Sequence, residues 1–285
     1  MGQVLPRRMV GAFADRRLVV AATLIGGVLA TSAGGASAEE PAPPAAAPPA
    51  AAPATAAPPV DPLAEPRDLI EHAPNTKENL RRAIALYEER LGDASLPAQK
   101  RADGWADASR AWLRLGDVET VEAKKIEAYT AGRAAAKKGL AAVPNHVESL
   151  FWDMANLATT GRTRGVMNSL FMLPELRKGL QRCLELDRNH KLCKQTLADV
   201  DHAVPGIAGG SDERAEQAYL ELLKRDPGLT SAMFNLAKLY RDQGKKEEAR
   251  RWATQARDAK SPSSPNDWKK FDRNDASQLL KELDK

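Results

Sequence analysis

From about Pro66 to the C terminus, apolar residues recur three and four positions apart, and short polar, glycine- or proline-containing breaks separate the runs. Such spacing lays apolar side chains along one face of a helix. It predicts helices near 76–91, 97–115, 118–142, 146–159, 164–186, 190–203, 211–225, 229–243, 245–259 and 274–284. Pro174 falls inside the fifth and is expected to kink it or to begin a new helix there. No stretch alternates with β-branched residues, so no sheet is expected and the fold class is all-α.

Residues 229–262 carry more than periodicity. Leu236-Ala237 is followed by Tyr240, Gly244, Ala249 and Ala256, and Pro262 closes the unit. Leu236 and Tyr240 are four apart and stack on one helix face. Gly244 permits a left-handed turn, while Ala249 and Ala256 let a second helix come close. This matches the tetratricopeptide pattern of roughly 34 residues per unit. Ala215, Tyr219, Leu222 and Pro227 fill compatible places one unit earlier. Further upstream the pattern thins to a proline turn within Ala141–Leu157, with Trp152 and Ala155 facing inward, and to an earlier divergent pair around Ala83–Leu91 and Trp112–Gly116. Such units cannot bury their apolar faces singly and must stack. The expected architecture is therefore an α-solenoid of tetratricopeptide-type helix hairpins over 67–262, with a capping helix in 263–285.

The N-terminal residues read differently. Arg7, Arg8, Arg16 and Arg17 precede an apolar run from Leu18 to Ala30, and Ala36-Ser37-Ala38 follows. That order marks residues 1–38 as a cleavable signal peptide and the mature protein as periplasmic. The alternative, a retained membrane anchor, suffers from an apolar run shorter than the roughly 20 residues that span a bilayer. Membrane attachment is expected only if that segment is retained. The arginine pairs also admit a twin-arginine export reading, for which nothing downstream supplies a cofactor. Residues 39–66, almost entirely proline and alanine, read as a disordered spacer. Four arginines and one aspartate lie in residues 1–38, so their removal takes the net charge from +4 to +1. No argument for a nucleic-acid partner survives.

The segments "LFWDMANLA" at 150–158, "GLQRCLELD" at 179–187 and "VPGIAGGSDERAEQAY" at 204–219 carry a family likeness. Over roughly 140–260 the chain resembles the T component, the periplasmic tetratricopeptide subunit of tripartite ATP-independent (TRAP) transporters. The resemblance implies a helical solenoid that associates with a periplasmic solute-binding protein and self-assembles as a homo-oligomer around a cavity. Two features depart from the family. No lipid-attachment cysteine occurs in residues 31–40, and Arg188 stands where proline usually follows the aspartate.

Candidate chemistry is sparse. Cys183 and Cys193 are the two cysteines, five residues either side of Arg188 in an expected helix–helix turn. An oxidising compartment would let them form a disulfide, or each fills a small packing site as a free thiol. With His190 and His202 they fit no standard zinc spacing, so no metal is expected. Gly206, Gly209 and Gly210 precede a helix without the lysine-serine pair or the preceding strand that nucleotide loops require, and Ser211 or Asp212 reads as a helix cap. Trp152, Asn156, Asn235 and Lys238 lie on the first helices of their units and are the candidate partner-binding residues, Asn235 and Lys238 gripping a carboxylate or peptide terminus. The competing reading makes Trp152 core and the polar pair a solvated face. No acid–base or nucleophilic set emerges, so neither catalysis nor a cofactor is expected. The chain reads as a protein-binding adaptor; a general scaffold for outer-membrane or secretion-complex assembly and a non-obvious enzyme subunit are the alternatives.

Overall fold

The computed structural model describes residues 61–285. The signal segment, and the spacer as far as residue 60, lie outside the described residues. Eleven helices follow: α1 (Ala64–Glu71), α2 (Lys77–Leu91), α3 (Ala98–Val118), α4 (Glu122–Ala142), α5 (Val147–Arg164), α6 (Val166–Leu186), α7 (Lys191–Ala203), α8 (Asp212–Arg225), α9 (Thr230–Asp242), α10 (Lys246–Arg257) and α11 (Arg273–Leu283). A turn at Pro265–Asp267 and a π-helical stretch, Trp268–Asp272, join α10 to α11. Among the described residues there is no strand. None of their helices is long and apolar enough to cross a membrane.

Each helix packs on its neighbours in the chain, so the body is an α-solenoid of tetratricopeptide-type hairpins. The α9–α10 hairpin shows why. Leu236, Ala237, Ala249, Ala253 and Ala256 are fully buried, bulky residues of one helix closing on alanines of the other. Gly244 turns the chain at φ 75°, where a β-carbon would be strained. On the far side of α10, Ala276, Leu279, Leu280 and Leu283 of α11 join the same core.

A local device recurs at two helix starts. His146 begins α5 and His190 begins α7, each accepting the backbone N–H three residues on through Nδ1, at 3.3 Å from Ser149 and 3.2 Å from Cys193. That pattern leaves the proton on Nε2, which lies 2.9 Å from Asp103 Oδ1 and 3.0 Å from Glu148 Oε1 respectively. Imidazole thus does the capping that serine or aspartate usually does. Each ring also ties its hairpin to an earlier helix.

Three local expectations are corrected. Helix α1 begins at Ala64, inside the stretch assigned to the spacer, because Leu63, Pro66 and Ile70 are buried beneath α2 and α3. Pro66 sits in the first turn of α1, where its missing N–H has no helical partner to lose. Glu65 then fixes α1 to α2 through Arg82 at 2.8 Å and Arg90 at 2.5 Å. Of the two outcomes expected at Pro174, a new helix does not form there: α6 runs through it, and the break falls at Gly165, with φ 95°. The first ten residues of α6 bury none of their side chains, so a carbonyl released at Leu170 can be solvated. Helix α5 accordingly extends five residues past its expected end, to Arg164.

The two ends of the described body meet. Arg114 on α3 donates to the carbonyl of Ile70 on α1, and its other nitrogen lies 3.5 Å from Asp267. Asn266 Nδ2 donates to the carbonyl of Glu71 at 3.3 Å. The turn before α11 therefore closes back onto the first hairpin.

Candidate functional site

Closure of the ends borders a half-open cavity of about 1370 Å³ between the inner faces of α3, α4 and α5 and the returning C-terminal segment. Its wall is both charged and aromatic. Arg110 and Arg114 sit one turn apart on α3, Arg110 lying 3.8 Å from Glu71 and 5.9 Å above the Trp152 ring. Burial, and the neighbouring Arg110 charge, bring Arg114 down to about 10. Asp117 is pushed up by burial, against the pull of Arg162 and of the Tyr129 hydroxyl that donates to it at 2.8 Å. Lys125, Lys270 and Lys281 add positive charge, and Phe271 a further ring.

A second, smaller cavity of about 100 Å³ opens between α5, α6, α7, α8 and α9. Leu157, Leu170, Leu173, Leu176 and Val204 give it apolar sides. Its polar end is built around Asp199, which accepts from Asn235 Nδ2 at 2.8 Å and from the Tyr219 hydroxyl. Burial raises Asp199 to about 6, opposed by Tyr219, Lys238, His202 and Asn235. His202 is held between Asp212 at 2.9 Å and Asp242 at 3.2 Å. Burial draws its value down, but bonds and charges from the two carboxylates outweigh that and the imidazole titrates above 6.5.

The four residues singled out in the sequence part company here. Trp152 is 3% exposed, stacked edge-on against Phe151 at 4.9 Å, and belongs to the core. Asn156 is fully buried; its amide donates to the Trp152 carbonyl at 2.9 Å and to Ser109 Oγ at 3.1 Å. It fastens α5 to α3 where Gly132 of α4 presses on its side chain, and is closed to a partner. The assignment of Asn156 is corrected, whereas Trp152, though packed in the core, also lines the larger cavity beneath Arg110. Asn235 and Lys238 do line the smaller cavity, Asn235 bound to Asp199 and Lys238 with its nitrogen 5.6 Å from the Phe234 ring.

The sequence reading missed Arg110, Arg114 and Asp199, and weighed His202 only as a metal ligand. Two arginines four apart within the alanine-rich α3 were a legible sign, since like charges at that spacing oppose each other unless something faces both. Asp199 and His202 meet their partners only through the stacking of α7 on α8 and α9.

A pH dependence follows from this cluster and from the buried Asp272, which lies apart from it and accepts from the Thr230 hydroxyl at 2.6 Å. Asp199 and Asp272 are both raised to about 6, each chiefly by burial, so the native state holds more protons than the unfolded chain and stability falls as pH rises from about 4 to 6. The raised His202 contributes stability below about 6.5 that is lost as pH climbs through its higher native value. Denaturation of wild type and His202→Gln between pH 6 and 8 is expected to give a falling wild-type stability and a flatter variant. Parallel curves would rule out this role for His202.

No family model matches this chain, and no curated protein matches it. Among solved structures it is similar to MamA, at 15% identity over 72% of this chain and 91% of that one, with a TM-score of 0.38. It is also similar to YrrB, described as a TPR protein with an unusual peptide-binding site, at 19% identity over 72% and 84% of the two chains and the same TM-score. Likeness of that order says nothing about what this chain binds.

Proposed function

We propose that the protein is an exported helical-repeat adaptor whose inner cavity receives a segment of a partner protein, the partner being the solute-binding protein of a TRAP-type transporter. The observation that carries this reading is the 1370 Å³ cavity itself, with arginines, lysines, carboxylates and aromatic rings distributed over its lining. Such a lining suits a polypeptide, which presents both charge signs and apolar side chains together. Export is supported by the signal-like residues 1–38 and by the disulfide between Cys183 and Cys193, a bond that persists in oxidising compartments. The transporter assignment rests on the sequence segments at 150–158, 179–187 and 204–219.

A photo-crosslinking residue at Gln278, on the cavity wall, tests this in intact cells, with the outward Leu220 as control. The expected result is capture of a solute-binding protein from Gln278 and not from Leu220. Capture of outer-membrane or secretion-assembly proteins would replace the transporter role with a general scaffold. The absence of any adduct specific to Gln278 would remove the cavity as the docking site.

A further inference from the structure

The turn between α6 and α7 brings three buried ligand atoms together. Cys183, near the end of α6, and Cys193, in the first turn of α7, are joined in a disulfide with their Cα atoms 6.4 Å apart. His190 lies between them in sequence, and one ligand atom from each of the three falls within 4.8 Å of the others. Both cysteines are wholly buried and His190 is 8% exposed. Three features prepare the imidazole. Nε2 is engaged by Glu148 at 3.0 Å, the ring packs on Phe151 at 5.5 Å, and Nδ1 carries the lone pair and points into the turn, toward the Cys193 N–H. A carboxylate on the far nitrogen is the arrangement that fixes tautomer and raises basicity in metal-bound histidines. The pairing with His202 considered from spacing alone does not arise, because that ring is held by Asp212 and Asp242.

We propose that the reduced form of this turn is a binding site for one cuprous ion, with Cys183 Sγ, Cys193 Sγ and His190 Nδ1 as its ligands, the Nδ1 lone pair passing from the Cys193 N–H to the metal. Reduction breaks the S–S bond with two electrons and two protons supplied by a dithiol, which becomes a disulfide in its turn. The chain before oxidation already holds both thiols. Binding releases the thiol protons as the sulfurs ligate as thiolates. Two soft sulfurs and one imidazole suit a soft monovalent ion that accepts three donors, whereas zinc asks for four. Disulfide and metal are mutually exclusive, so the oxidised protein binds nothing here.

The test uses the protein reduced with dithiothreitol, freed of reductant without oxygen and titrated against a coloured cuprous chelator. One equivalent of cuprous ion is expected to move to the reduced protein and none to the oxidised form. Cys193→Ser is expected to abolish the transfer. His190→Asn keeps a side chain able to cap α7 and is expected to weaken binding at least about tenfold. No transfer to the reduced protein, or wild-type affinity in His190→Asn, overturns the proposal. So does loss of the helical circular dichroism on reduction, since the site needs the folded turn, and so does preference for zinc in a mixed titration.

Discussion

Alanine at both Cys183 and Cys193 is expected to lower stability by about 3 kcal/mol, the entropy cost lifted from the unfolded chain when a loop of this size is no longer closed. For a body of this length that corresponds to a fall in melting temperature of about 6 to 12 °C. The bond spans only the α6–α7 turn, but its sulfurs are buried in the central core cluster with Phe151, Leu180 and Val200. Loss of their packing adds to the effect. Thermal denaturation of the double variant beside oxidised wild type reads the difference. Melting within a degree or so of wild type would show that the turn is held by packing and by the His190 cap alone.

Arg114→Met should cost a similar amount, about 3 kcal/mol, for a different reason. The substitution keeps most of the side chain's volume but strands the Asp267 carboxylate and the Ile70 carbonyl, both of which face the guanidinium. Asp267 is itself buried, so water does not readily take the place of the lost partner. Urea denaturation measures the loss, and Arg114→Lys, which restores charge without the planar fork, should recover only part of it. Wild-type stability in Arg114→Met would mean that the ends stay together without this contact.

Much of the architecture could be read from the sequence because its signals are local. Leu236, Tyr240, Gly244, Ala249 and Ala256 each sit in the environment that spacing alone assigns, since a hairpin is decided by residues close in sequence. The short α1 was hidden because proline and alanine on either side of Leu63 look like spacer, and what orders it is burial under α2 and α3. No new helix begins at Pro174 for a related reason: the carbonyl it frees at Leu170 lies on the part of α6 that buries no side chain, where water can take the lost bond. The partner-binding residues were the least legible. Position on a first helix cannot tell Asn156, which the neighbouring helices bury, from Trp152, Asn235 and Lys238, which reach a cavity. The cavity wall itself depends on contacts between residues as far apart in sequence as Arg114 and Asp267, a separation no periodicity reports.

That contact changes what kind of object the repeat array is. An open stack of hairpins can fray from either terminus, losing one unit while the rest stands. Here the outermost elements brace each other, so a terminal hairpin cannot peel away without first releasing its counterpart at the opposite end of the sequence. Entry of a guest that needs the interior widened is thereby coupled to strain at both termini at once.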